Sequence, residues 1–301
     1  MIWLILAVTS YFLNSVVVVA DKFLLSSRVK NPLAYAFNGA ALNLLIFLLW
    51  PFVFSFLSFK TAIIAFFAGV TFFFSIYYLY KAMAGGEASR VVSIIGGVSP
   101  IMIFILSYFV LGERLSVFWF FAFVLLILGS FLLTLEKGGK YFNFKIGGGF
   151  PLYSCASAVF FALTFFSTKM VFLETSFLNG FIWTRIGVFF AILCVLLFPS
   201  LRKSVLESPL SVSRRLFFYF ASNKVLSALA FLILNYSFKL GSVSLINALQ
   251  GVQYVLVFFL ALTLYFYKPG ALKESFSLMA ILQKITGIIM ISAGVAILFI
   301  F

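Results

Sequence analysis

The chain has 301 residues, of which 64% are hydrophobic and 9% are charged. Soluble domains are about 45–50% apolar and about 25% charged, so no soluble fold could bury this much apolar surface. The formal net charge of +14 comes from 21 Lys and Arg residues against 7 Asp and Glu residues. In so apolar a chain, we assign this excess to basic residues that flank membrane spans and meet anionic headgroups, and not to nucleic-acid binding.

Ten apolar runs of helical length follow one another along the chain, separated by glycine, proline and charged residues. A spanning helix needs roughly 20 mostly apolar residues. The ten predicted spans are 2–20, 33–54, 61–80, 91–111, 116–135, 150–168, 177–198, 216–238, 243–266 and 278–301. Backbone groups in lipid must be satisfied internally, and the runs lack the strict alternation of barrel strands. We therefore predict an all-α polytopic membrane protein.

The linkers between these runs are short. The longest are residues 136–149 and 199–215, so no soluble domain fits between the spans. The first run lacks a basic n-region and a small-residue cleavage site, and we interpret it as a retained transmembrane helix.

Residue types that carry common catalytic chemistry are scarce. Cys155 and Cys194 are isolated within apolar runs, and there is no histidine. Two isolated cysteines build neither a disulfide framework nor a metal site, and a phosphate-binding G-x-x-x-x-G-K-[ST] loop is absent from the sequence. We predict no cofactor, no metal and no enzymatic activity.

The chain contains a weak internal repeat. Lys22 closes the first span and Lys169 closes the sixth, 147 residues later, and Asn38 matches Arg185 at the same offset. In the fourth and ninth spans, Gly97 matches Gly251 at an offset of 154. We predict two five-helix repeats, residues 1–148 and 149–301. Because five is odd, the second repeat crosses the membrane in the opposite sense, an arrangement that places a transport cavity between the halves.

Over essentially its whole length, the chain resembles the EamA-type members of the drug/metabolite transporter superfamily. The resemblance rests on Pro100, the following LGERLS and the stretch 105–133. It implies ten helices in two halves and a transport function. The second half departs from the family pattern, because Tyr265-Phe266-Tyr267 takes the place of Leu111-Gly112-Glu113. The chain is a divergent member by this measure, and the resemblance does not name a substrate.

Ionisable residues inside spans are costly and usually face the interior of a bundle. Arg185 and Lys224 each lie about eight residues inside a span, where a charge costs about 2.5–3.5 kcal/mol. Each either extends to the membrane interface or faces the cavity. Lys22 and Lys169 lie at helix ends, where they either anchor to headgroups or line the two ends of a site. Asp21 could pair with Lys22.

The ninth span is the most polar. Asn247, Gln250 and Gln253 lie three residues apart on one helical face, and this face either binds substrate or links helices. The predicted substrate-binding set is Arg185, Lys224, Lys22, Lys169, Asn38, Asn14, Asn247, Gln250, Gln253, Tyr254 and Ser93.

The seven acidic residues all lie in loops or at span ends in this interpretation. Without a mid-span carboxylate or a histidine, a proton-driven exporter of organic cations is disfavoured. Arg185 and Lys224 instead favour a carboxylate or phosphate. We interpret Glu113, in the Gly112-Glu113-Arg114 turn, as part of a water-exposed structural turn.

These features predict a secondary transporter, an exporter or exchanger, that moves a small polar and preferentially anionic metabolite by alternating access. The alternative is a non-transporting scaffold or lipid-flippase accessory protein, whose polar faces would link helices and enclose no cavity. The expected partners are a small molecule and the lipid bilayer, without nucleic acid, and the chain is a monomer or homodimer. The expected location is a prokaryotic cytoplasmic (inner) membrane.

Two sequence features disagree on which side of the membrane the termini lie. The odd-numbered loops hold 14 basic residues and the even-numbered loops hold 4, which places both termini outside. The family resemblance implies both termini inside. The two agree that the termini share one side.

Overall fold

The computed structural model describes residues 2–27, 31–85, 88–134, 149–207, 214–267 and 278–300, and these contain helices and turns without strands. In chain order the elements are α1 (Ile2–Ser27), α2 (Pro32–Asn43), a 3-10 helix (Leu44–Leu49), α3 (Trp50–Val53), α4 (Phe59–Gly85), α5 (Ala88–Val110), α6 (Val117–Thr134), α7 (Phe150–Glu174), α8 (Phe177–Leu197), α9 (Pro199–Leu206), α10 (Arg214–Leu240), α11 (Val243–Ala248), α12 (Gln250–Tyr267) and α13 (Leu278–Ile300).

Among these elements, eight segments are long and apolar enough to cross a membrane. Two shorter apolar helices, Ile94–Val110 and Val117–Leu132, lie where the fourth and fifth spans are predicted. Large apolar side chains cover the outside; Phe56, for example, is 87% exposed. Such a surface suits lipid and not water, so the structure confirms a polytopic helical membrane protein.

Two predicted spans are not single α-helices. The second consists of α2, the 3-10 helix and α3, and Pro51, in the first turn of α3, has no N–H for a helical hydrogen bond. The ninth is interrupted at Leu249, which separates α11 from α12. The ninth span holds no proline, and the interruption was not predicted.

Glycines allow two helix pairs to pack closely. A methyl group on Gly69 of α4 would lie 1.9 Å from the Thr184 carbonyl oxygen of α8, and one on Gly187 would lie 2.0 Å from the Phe66 oxygen. In the second pair, a methyl group on Gly129 of α6 would lie 2.8 Å from the Gly287 oxygen of α13. Small residues at such crossings let backbones touch, the usual way that membrane helices associate.

The start of α1 and the end of α13 both lie beside the start of α6. The rings of Trp3 and Trp119, near the starts of α1 and α6, lie 6.4 Å apart. Gly294, near the end of α13, faces Ala122 of α6. The beginning of α1 and the end of α13 therefore lie at the same end, as the sequence predicts for the termini.

Candidate transport cavity

A cavity of about 160 Å³ lies in the middle of the helix bundle. Side chains from α1, α2, α4, α5, α7, α10, α11 and α12 line it. The sequence predicts a transport cavity between the two halves. Helices of both predicted halves contribute to the wall, while α8, the seventh predicted span, does not.

Helical spacing explains which side chains reach the cavity. Tyr11, Asn14 and Asp21 lie on one face of α1, because residues three, four or seven apart share a helix face. On α10 the same rule aligns Ser227, Phe231 and neighbouring Lys224, of which the first two line the cavity.

Four amide side chains of the predicted set line the cavity: Asn14, Asn247, Gln250 and Gln253. Asn247 Oδ1 accepts a hydrogen bond from Ser99 Oγ at 3.3 Å. Gln250 and Gln253 have no side-chain hydrogen bond within the described parts of the chain, although Gln253 is only 5% exposed. Buried polar groups are normally hydrogen-bonded, so these two amides are available to a molecule in the cavity.

The interruption at Leu249 positions this amide wall. Asn247 and Gln250 flank it, one at the end of α11 and one at the start of α12. Tyr11 holds the segment in place, because its hydroxyl donates to the Ile246 carbonyl at 2.9 Å. Discontinuous helices lie at the substrate sites of many secondary transporters, where they bring polar groups to the bilayer midplane.

The opposite wall is apolar and largely aromatic. The rings of Phe72 and Phe231 lie 4.8 Å apart, and Phe165 lies 6.3 Å from Phe231. Phe161 also lines the cavity. The cavity therefore offers hydrogen-bonding amides on one side and phenylalanine rings on the other.

Asp21, on the cavity wall, is the centre of a buried polar cluster. Its carboxylate accepts hydrogen bonds from Tyr35, Asn223 (2.7 Å) and Tyr80 (3.3 Å). Lys224 Nζ lies 2.8 Å from Asp21 Oδ1 in an ion pair and 3.1 Å from the Tyr80 hydroxyl. We call these five residues the Asp21 cluster. It joins α1, α2 and α4 to α10.

This cluster corrects two expectations. Asp21 is a buried carboxylate, so the chain does not lack one, and the argument against a proton-driven exporter of organic cations loses its premise. The carboxylate of Asp21 forms an ion pair with Lys224. The charge of Lys224 is already balanced by Asp21, so Lys224 is not a free cation available to bind an anionic substrate.

Arg185 does not line the cavity; it lies directly behind its aromatic wall. The close contact of α8 with α4 brings the guanidinium carbon 4.8 Å from the Phe72 ring and 5.4 Å from the Phe231 ring. Phe181 covers it at 4.3 Å. Arg185 is 1% exposed, and its Nη1 has no hydrogen-bond partner in the described residues.

The rings offset only part of the cost of this burial. A cation over an aromatic face gains about 0.5–2 kcal/mol, whereas an unpaired buried charge costs several kcal/mol. Nε of Arg185 donates a single long hydrogen bond, 3.3 Å, to Thr184 Oγ1. No acidic side chain in the described residues forms an ion pair with it.

Lys169, Tyr254 and Asn38 bond to backbone carbonyls and do not reach the cavity. Lys169 Nζ donates to the Phe238 and Gly241 oxygens, 2.7 and 2.9 Å away, at the carboxyl end of α10. Tyr254 donates to the Val92 oxygen of α5 at 3.1 Å. Asn38 Nδ2 bonds to the Ala34 oxygen of its own helix.

For Lys22 and Ser93, the other members of the predicted set, the structure describes the backbone within α1 and α5 while their side chains lie outside the described residues.

The turn after α5 links the two predicted halves. Gly112 adopts the left-handed conformation, φ +67°, and Glu113 N donates to the Ser107 oxygen, which ends the helix. Glu113 is half-buried, and its Oε2 accepts a hydrogen bond from Ser244 Oγ at the start of α11. The prediction of a structural turn is right, but this turn is not simply exposed to water.

These observations define the class of protein: a polytopic helical membrane protein with a central, partly polar cavity. The sequence model of the EamA-like transporter family matches residues 1–135. This match covers slightly less than half of the chain and confirms the resemblance drawn from the sequence: the chain is similar to EamA-type members of the drug/metabolite transporter superfamily. The family suggests a membrane transporter of this type.

A solved structure supports the fold across both halves. A crystal structure described only as that of a protein matches with a TM-score of 0.66 and 18% sequence identity, over 98% of this chain and 95% of that chain. Identity this low shows the fold alone. No curated protein matches the sequence.

Proposed function

We propose that this protein is a secondary transporter, an exporter or exchanger, that carries a small polar metabolite through the central cavity by alternating access. The observation that carries the proposal is the pair of unpaired amides, Gln250 and Gln253, on the wall of a cavity between the two halves. A purely structural polar face would bond helix to helix, as Tyr254 does to Val92.

The helix pairings support two inverted repeats, residues 1–148 and 149–301, with ten spans in total. Helix α1 packs on α10, and their repeat equivalents, α7 and α4, also pack on each other. The same exchange relates the α5–α7 contact to the α12–α1 contact. Helices α6 and α13, the last of each repeat, pair with one another. Such exchange symmetry is typical of transporters built from inverted repeats.

In this proposal the substrate is held by Asn14, Asn247, Gln250 and Gln253, while its apolar part contacts the phenylalanine wall. Amides donate and accept hydrogen bonds and carry no charge, so they suit a small molecule with hydroxyl, amide or carboxylate groups. The protein operates in a prokaryotic cytoplasmic membrane.

The alternative is a non-transporting scaffold or flippase accessory protein, which predicts that the polar faces only link helices and enclose no cavity. The Asp21 cluster fits that prediction, because its members bond to one another across four helices. The cavity and the unpaired Gln253 do not fit it.

Untargeted metabolite profiling tests the proposal. A deletion strain is compared with strains that carry the wild type, Gln253→Leu or the control Gln283→Leu; Gln283 of α13 donates to the Leu132 oxygen away from the cavity. We expect the wild type and the control to correct the same metabolite level, and Gln253→Leu to fail at equal membrane abundance. Full correction by Gln253→Leu would contradict the proposal.

A further inference from the structure

Arg185 is the unexplained charge of this molecule. It is 1% exposed, its Nη1 has no hydrogen-bond partner among the described residues, and none of their carboxylates balances it. Buried charges are normally paired or bound to a ligand. The Asp21 cluster shows that this fold pairs a buried cation when the role is structural. An unpaired arginine that only an aromatic ring separates from a cavity is a candidate binding group for an anion.

Phe72 and Phe231 separate the guanidinium from the cavity. Both rings line the cavity, lie 4.8 Å from each other and face Arg185 on their other side. Each ring lies between the guanidinium and the cavity, so rotation of either side chain would shorten the path between the two. The two rings thus act as a barrier of single-residue thickness.

We infer that Arg185 is a binding site for a small organic anion with an apolar body, reached from the cavity when Phe72 and Phe231 move apart. The guanidinium would bind the carboxylate through two parallel hydrogen bonds, and Nη1 is free to make one of them. The displaced rings would contact the apolar body, and Gln253 would bind polar groups at its other end. This inference rests on the proposed function and specifies its substrate class.

Benzoate is the simplest probe with both features, and benzamide is its neutral isostere. Thermal unfolding of the full chain in detergent, followed by tryptophan fluorescence, measures binding. Benzoate at ten times its dissociation constant should raise Tm by about 3 °C, and benzamide should not. Arg185→Met should abolish the benzoate response. Without ligand, this variant should be at least as stable as the wild type, because it removes an unbalanced buried charge.

Two phenylalanine variants test the barrier. Phe231→Ala should lower the benzoate concentration that gives half of the Tm shift. The variant should populate the open, binding-competent state more often, and the apparent affinity rises in proportion to that population. Phe161→Ala is the matched control, because Phe161 lines the same cavity and its ring does not cover Arg185.

The anion inference is overturned if benzoate leaves the wild type unchanged, if benzamide acts equally, or if Arg185→Met keeps the response. It is overturned as well if Arg185→Met lowers the ligand-free Tm by several degrees, since Arg185 would then be structural. The proposed function fails separately, through correction of the metabolite level by Gln253→Leu. If benzoate gives no response and Gln253→Leu also fails to correct the metabolite level in cells, the proposed transport function stands and only the anion site is rejected.

Discussion

Breaking the Asp21–Lys224 ion pair should destabilise the folded protein strongly. Lys224→Met removes the ammonium group and keeps most of the apolar stem, which leaves a carboxylate that is 5% exposed without a counter-charge. Removing one partner of a buried pair costs about 3–5 kcal/mol, because the remaining charge is neither solvated nor balanced. Tyr35, Tyr80 and Asn223 still donate to Asp21, so we expect the lower end, about 3 kcal/mol.

A double-mutant cycle measures this pair. Asp21→Asn with Lys224→Met removes both charges, so the double variant should be more stable than Lys224→Met alone. The measurement is Tm of the purified protein in detergent, where about 3 kcal/mol corresponds to a fall of about 6 °C or more. Lys203→Met is the control, because its pair with Glu207 is solvent-exposed, 71% and 66%, and should not change Tm measurably.

The cycle also has a clear negative result. If Lys224→Met unfolds at the wild-type temperature, or if the double variant is no more stable than the single one, the cluster does not hold these helices together. Lys224 would then be available to substrate, as the sequence alone suggested.

Two further predictions concern packing. Gly187→Ala should lower Tm by several degrees, because the new methyl group would lie 2.0 Å from the Phe66 oxygen, whereas Gly97→Ala meets nothing within 4 Å and serves as control; equal Tm values for the two would refute the close α4–α8 contact. Tyr254→Phe should cost about 1 kcal/mol of stability through the lost bond to the Val92 oxygen while leaving the metabolite level corrected in cells, and loss of transport would place Tyr254 at the substrate.

The membrane spans were predictable because lipid imposes a length and a composition on each helix. Where the structure differs from the predicted spans, local hydrogen bonds determine where a helix is interrupted. Pro51 interrupts the second span, and this could have been foreseen from its missing N–H. The interruption at Leu249 could not, since the span holds no proline and Gly251 alone does not predict a break; contacts such as the bond from Tyr11 to the Ile246 oxygen hold it.

The amide wall was foreseen because Asn247, Gln250 and Gln253 share one face of a single helix. Periodicity shows which residues of one helix lie together, but not which helix packs against them. The pairing of Asp21 in α1 with Lys224 in α10 spans 203 positions, so no local pattern predicts it. A signal did exist: Asp21 lies seven residues after Asn14, on the same face of α1.

Arg185 also shows that the sequence of one helix does not reveal which helix packs against it. Its depth in the span was predicted, but the side of α8 that it occupies depends on the contact of Gly187 with Phe66 and of Gly69 with Thr184. That contact turns Arg185 toward α4 and places Phe72 in front of it. The identity of a residue shows that burial is costly; only the packing shows what offsets the cost.

The two ends of the cavity are held by different contacts between the halves. At one end the Asp21 cluster ties α1, α2 and α4 to α10; at the other, Glu113 of the α5–α6 turn accepts a hydrogen bond from Ser244 of α11. Under the proposed alternating access, one of these connections would have to break at a time. Both charges of the ion pair are buried, so opening at its end would need a partner for Asp21 or Lys224. A ligand that supplies such a charge would favour that opening, because a ligand shifts a conformational equilibrium only by binding the two states differently.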